Sequence, residues 1–231
     1  MSKITTNTTL IISLFLAVVM SSVTYAKADK KDLPKETKDG LVLKEDAEVD
    51  IAYIRPNVDW NKFKTVYFRT LIVSDEDTDA TPDKPGSRRG HLGESWIIPE
   101  KDIVLMQEEF ARIMTEEMVD EGFTVVDQPQ PGTLVVAAEV VDIYLTAPIE
   151  KSRRSYASRG ATYTEGGGSI TIAAALADAE DNRILAYIAD NRYPSQMWHK
   201  NTRVSNIADM KSLFRVWGSK LANGLNSVKT E

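Results

Sequence analysis

Apolar positions along the chain follow two periods. Between Glu100 and Glu121, Ile103, Met106, Phe110, Ile113, Met114 and Met118 recur at three- and four-residue steps. That is one stripe along an amphipathic helix. Ile207, Met210, Leu213, Phe214, Trp217, Leu221 and Leu225 repeat the spacing and predict a second helix over about 207–228, capped by Ser205 or Asn206. Pro99 suits the first turn of the first helix. Gly122 suits the left-handed position just past its end, with Phe123 folding back over Met118 or Val119.

Strand signals fill the intervals. Thr65 to Val73 is β-branched and aromatic. Phe123 to Val126 is short, Leu134 to Tyr144 is long, and Ser169 to Asp178 and Arg183 to Asp190 are joined by the tight polar turn Glu180-Asp181-Asn182, which predicts an antiparallel hairpin. The order β-α-β-β-β-β-α, with one apolar stripe per helix, predicts an α+β fold. A mostly antiparallel sheet is expected, with two helices packed on one face. Alternation along Ser169 to Asp178 is weakened by Ala173, Ala175 and Ala177, so the second sheet face is expected to be covered by a loop or a partner.

The first 28 residues have a different pattern. Lys3 precedes an apolar run, Leu10 to Met20, and small residues follow at Thr24, Ala26 and Ala28. This is the layout of a secretory signal peptide cut after Ala26 or Ala28. The run is about half of what spans a bilayer. A periplasmic protein, soluble after cleavage, is expected, with secretion as the second choice and no transmembrane segment in the mature chain. Residues 29–48 are rich in Lys, Asp and Glu and predict a flexible charged leader. A single domain is expected over 49–231.

Charge and composition narrow the function. The chain has 28 basic and 34 acidic residues, net −6. Cleavage after Ala26 removes Lys3 and makes it more acidic. Such a balance has no footprint for nucleic acid. The absence of cysteine excludes disulfides, thiolate metal sites and a lipidated N-terminal cysteine. His91 and His199, the only histidines, are over a hundred positions apart in sequence and are expected to be solvated rather than metal-bound. Asp75, Asp77 and Asp79 begin like a calcium loop, but Ala80 and Gly86 stand where an EF-hand needs Gly and Glu. A solvated acidic loop is expected at Asp75 to Asp83, and whether it holds calcium is left open. Gly166-Gly167-Gly168 lacks the Lys-Ser/Thr of a phosphate loop and is expected to let the chain turn into the sheet. No metal or cofactor site is expected.

The sharpest candidate for binding is a basic loop. Lys151, Arg153, Arg154 and Arg159, with Tyr156 and Tyr163, could hold phosphate, carboxylate or sugar groups. Its competing role is to pair with the acidic loop. Trp217 is expected in the core, and Trp96 and Trp198 are expected to staple loops down.

The segment Tyr53-Ile-Arg-Pro-Asn-Val-Asp-Trp-Asn-Lys-Phe-Lys-Thr-Val-Tyr67 resembles the entry motif of a bacterial family, domain of unknown function 3313. Phe123 to Leu134, the hairpin through Asp178 to Ala189, Asp190-Asn191-Arg192 and the Trp217 helix also resemble it. The resemblance implies an exported protein with no established reaction. Many members carry a lipobox cysteine; here Ala and Lys occupy that place, so lipid anchoring does not transfer. The expected function is non-enzymatic binding of a partner protein or cell-envelope component, including an outer-membrane component. The alternative is a small anionic-ligand or enzymatic role centred on the Lys151–Arg159 loop.

Overall fold

The structure, a computed structural model, describes residues 30–73, 94–95, 98–145, 149–150, 163–165, 168–194, 198–200 and 202–230. The candidate signal peptide, the Asp75–Asp83 loop, His91 and Trp96 lie outside them.

Strands β1 (Val42–Leu43), β2 (Ile51–Ile54), β3 (Thr65–Phe68), β4 (Ile72–Val73) and β5 (Glu94–Ser95) precede helix α1 (Glu100–Asp120). Then come β6 (Thr124–Val125), β7 (Thr133–Leu145), β8 (Ile149–Glu150), β9 (Tyr163–Glu165), β10 (Gly168–Asp178), β11 (Ile184–Arg192), β12 (Trp198–Lys200) and helix α2 (Arg203–Thr230). The main sheet runs β1-β2-β11-β10-β7-β3-β6, with β4 in line with β3 along β7. The fold is α+β, as expected, but the sheet is mixed. The pairings from β1 through β7 are antiparallel, while β3 pairs parallel with β6 and β7, and β4 with β7. The reason is the crossover: α1 carries the chain back to the edge it left, so the strands on either side of it run the same way. The strand predicted over 65–73 is broken at 69–71, where Leu71 turns into the core at 1% exposure.

Local signals behave as their chemistry dictates. At the end of α1 the Gly122 N–H donates to Val119 O (3.0 Å) and the Phe123 N–H to Met118 O (2.9 Å), with Gly122 at φ +87°. This is a Schellman closure, and Phe123 and Met118 share one apolar cluster. Helix α2 starts four residues earlier than its stripe predicts. Ser205 N–H donates to Thr202 Oγ1 and Thr202 N–H to Ser205 Oγ, a reciprocal cap that recruits 203–206. Gly168 opens β10 because nothing larger fits. A Cβ there would stand 1.8 Å from Tyr144 O.

Both helices cover one face of the sheet. Phe68, Phe110, Phe214 and Trp217 form a chain of rings from β3 through α1 to α2, with centroids 6.3, 5.4 and 6.0 Å apart. Across the opposite face runs a row in register, Tyr53–Tyr187–Ala175–Ala137. Leu41, fully buried, packs on this row, and the Tyr53 hydroxyl donates to Pro34 O. Burial, reinforced by Asp39, pushes the Tyr187 hydroxyl up to about 12. Part of the second face is thus covered by residues 33–43 of the chain itself. Those residues fall within the stretch expected to be a flexible leader. Val42 and Leu43 pair with Ile54 and Tyr53, so the sheet begins before Val49. A short charged segment can order when its few apolar side chains meet a sheet face.

Candidate binding cavity beneath the last helix

Of the basic-loop candidates, Lys151, Arg153, Arg154, Tyr156 and Arg159 lie outside the described residues. Tyr163 is placed only by its backbone, which pairs with Lys200 in the small β9–β12 ribbon. His199 and Trp198 lie on that ribbon as well. A second ribbon pairs Glu94 and Ser95 with Glu150 and Ile149, so the far end of the long polar loop meets the start of the basic loop.

The described residues do enclose a different site. Where the C-terminal half of α2 crosses the sheet, the two layers fail to meet and leave a cavity of about 370 Å³. Its floor is Ala138 on β7, Ile172 and Ala174 on β10, and Ala186 and Ile188 on β11. Ala174 lies opposite Ala138 in the register, so the middle of the floor has only methyl groups to offer. The walls are Phe110 and Met114 of α1, Trp60, and Trp217, Leu221 and Leu225 of α2.

The cavity opens between α2 and the β1–β2 connection, residues 44–50. That connection is tied down through its carbonyls. Lys30 Nζ donates to Ala47 O (3.1 Å), while Arg192 Nη2 (2.9 Å) and Lys220 Nζ donate to Glu48 O. Asp190 anchors the mouth from below with a fully buried side chain. Its oxygens accept from the Asp50 N–H (2.9 Å), Arg192 Nε (2.6 Å) and Trp217 Nε1 (3.0 Å). A buried carboxylate is tolerated on these terms, with donors on both oxygens and a paired cation. The hydrogen bond that Arg192 donates to Asp190 raises the pKa of Arg192 further.

A smaller hollow of about 90 Å³ lies near the start of α2, beside the Asp102–Arg203 ion pair. At roughly 30 Å³ per water it holds about three. Among the described residues there is no group of three or more His, Cys, Asp or Glu placed to hold a metal, and no helix long and apolar enough to cross a membrane.

The family model described as "Protein of unknown function (DUF3313)" matches residues 38–221. The chain belongs to this family. No curated protein sequence matches the DUF3313 chain. Solved structures give weak likenesses. The PelC dodecamer from Paraburkholderia phytofirmans is 12% identical over 69% of this chain and 88% of that one, with a TM-score of 0.35. A DUF330 protein from Xanthomonas campestris is 14% identical over 73% and 86%, at 0.39. The hypothetical protein CT253 from Chlamydia trachomatis is 13% identical over 71% and 98%, at 0.36.

All the stretches that carry the DUF3313 resemblance except Phe123 to Leu134 meet at the cavity. Asp190-Asn191-Arg192 and Trp217 build its mouth, and Trp60 of the entry motif is one wall. These residues look like scaffold in the sequence because their meeting depends on β11 and α2, 27 positions apart at the Trp217–Asp190 contact.

Proposed function

We propose that this DUF3313 protein is a non-enzymatic binding protein of the periplasm that takes an apolar component of the cell envelope into the cavity beneath α2. The cavity itself carries this reading. A hollow of about 370 Å³ is within the ordinary range for small-molecule sites, roughly 300–1,000 Å³, and far larger than the packing voids a core tolerates. The polar groups at its rim are engaged in holding the mouth, with Asp190 spent on Trp217, Arg192 and Asp50. The signal-like N-terminus supports the address.

The test is to purify the exported protein from its own envelope, extract it with organic solvent and analyse the extract by mass spectrometry. Wild type should release an apolar compound in near-stoichiometric amount, and Ala174→Phe, which fills the floor, should release much less. An extract without such a compound, or equal yields from the two proteins, contradicts the proposal.

A further inference from the structure

We infer that the occupant of the cavity is a single-chain amphiphile with an anionic head, its tail under α2 and its head at Lys220. This rests on the cavity being a binding site and adds the chemical class of the ligand. The size comes first. At about 30 Å³ for a water-sized group, 370 Å³ takes about twelve such groups. A methylene is of similar size, so one alkyl chain of about ten to twelve carbons matches the hollow.

The mouth sets the head. Two cations and two exposed anions line it, and they are placed differently. The Lys220 side chain is 18% exposed and that of Lys44 29%, whereas Glu48 and Asp46 are 76% and 80% exposed. The ammonium groups are sheltered at the rim, and their carboxylate neighbours stand out in water. Lys220 is 3.4 Å from the Glu48 carboxylate and Lys44 is 3.8 Å from that of Asp46. Both are long, solvent-screened pairs of the kind that contribute little. An incoming carboxylate or phosphate can displace the Glu48 side chain from Lys220 at small cost and meet the ammonium in a less hydrated place, while Lys220 keeps its bond to Glu48 O. A cationic head would meet only the water-exposed carboxylates of Glu48 and Asp46, because Asp190 is buried and already saturated by Arg192, Trp217 and Asp50.

Quenching of tryptophan emission by terminally brominated dodecanoate tests this on the exported protein stripped of lipid, since Trp217 and Trp60 both line the cavity. Unlabelled dodecanoate, dodecanol and dodecyltrimethylammonium compete for the site. Dodecanoate should compete best and the ammonium worst. Lys220→Glu should weaken dodecanoate about tenfold or more, and should weaken dodecanol much less, since the alcohol shares only the loss of the Lys220–Glu48 O tie. Ala174→Phe and, as a milder plug, Ala138→Leu should weaken all tails together in a protein that keeps its circular dichroism. Equal competition by the three head groups, with no effect of Lys220→Glu, overturns the anionic head but leaves the cavity as a site. No quenching by any of them, or quenching unaffected by both plugs, overturns the cavity reading itself.

Discussion

Two glycines six positions apart on α2 show how differently its two halves meet the rest of the molecule. At Gly218 a Cβ would stand 2.8 Å from both Cβ and Cγ of Glu117 on α1, so the glycine is there to let two helices approach. At Gly224 a Cβ would meet nothing within 4 Å. The upstream half is closed by packing, through Met210, Leu213, Phe214 and Trp217 on the α1 stripe. The downstream half spans the cavity and is held at its end by polar clamps. There Lys229 donates to Phe63 O (3.2 Å) while standing 4.2 Å over the Phe123 ring, and beside it Lys62 pairs with Asp178, fixing the Trp60–Lys62 turn to β10. Burial, with Lys64 near, lowers the Lys229 ammonium's pKa. A helix packed closely along one half, and resting in the other on Ala222, Leu225 and the Lys229 contact, is suited to cover a site.

The boundary between the halves is Trp217, and its loss should have the largest effect. Trp217→Ala should cost about 3–5 kcal/mol in urea unfolding, the usual range for a truncated buried aromatic. Part of that comes from leaving the buried Asp190 short of a donor. Below about 1 kcal/mol, the ring would not be the keystone described here.

Gly218→Ala comes next. Forcing the helices apart costs up to about 3 kcal/mol and helix propensity returns about 1, for a net loss of about 2 kcal/mol. A neutral result would mean that α1 and α2 are not in close contact.

The Lys62–Asp178 pair, which fixes the chain beside Phe63 and the end of α2, should respond to pH. Burial alone would raise the pKa of Asp178, but hydrogen bonds from Lys62 and the Glu180 N–H, with the charges of Lys62 and Arg183, hold it below the usual carboxylate value. A depressed carboxyl stabilises the fold above its unfolded pKa and loses that contribution as pH falls through its folded one. Asp178→Ala should therefore cost about 1–3 kcal/mol near neutrality, and its difference from wild type should shrink below about pH 4. A gap independent of pH would remove the ion pair from the account.

Much of this fold is legible along the chain because its signals are local. Both helix stripes, the Gly122 closure and the Glu180–Asn182 hairpin need only neighbours within a few residues. The parallel placement of β3 depends on where α1 returns the chain. The early strands β1 and β2 are hidden in the sequence because Leu41, Leu43 and Tyr53 sit among charges and gain their burial only against Tyr187 and Ala175. The cavity is hidden for a related reason. Ala138 and Ala174 look like ordinary small strand residues until the register sets them side by side on the floor beneath α2.

The smallest expected effects belong to the open half. Gly224→Ala should stabilise by about 0.5–1 kcal/mol, because a methyl there meets open space and the helix gains propensity. Loss of stability would place Gly224 against something.

The central claim is that the core under the downstream half of α2 is hollow and apolar, and xenon reports on that directly. In a crystal of the lipid-free protein under xenon pressure, density should appear between Trp217, Leu221, Ala138 and Ala174, as it does in dry apolar cavities. Crystals in which those side chains are ordered and in contact, with no xenon between them, would contradict the account.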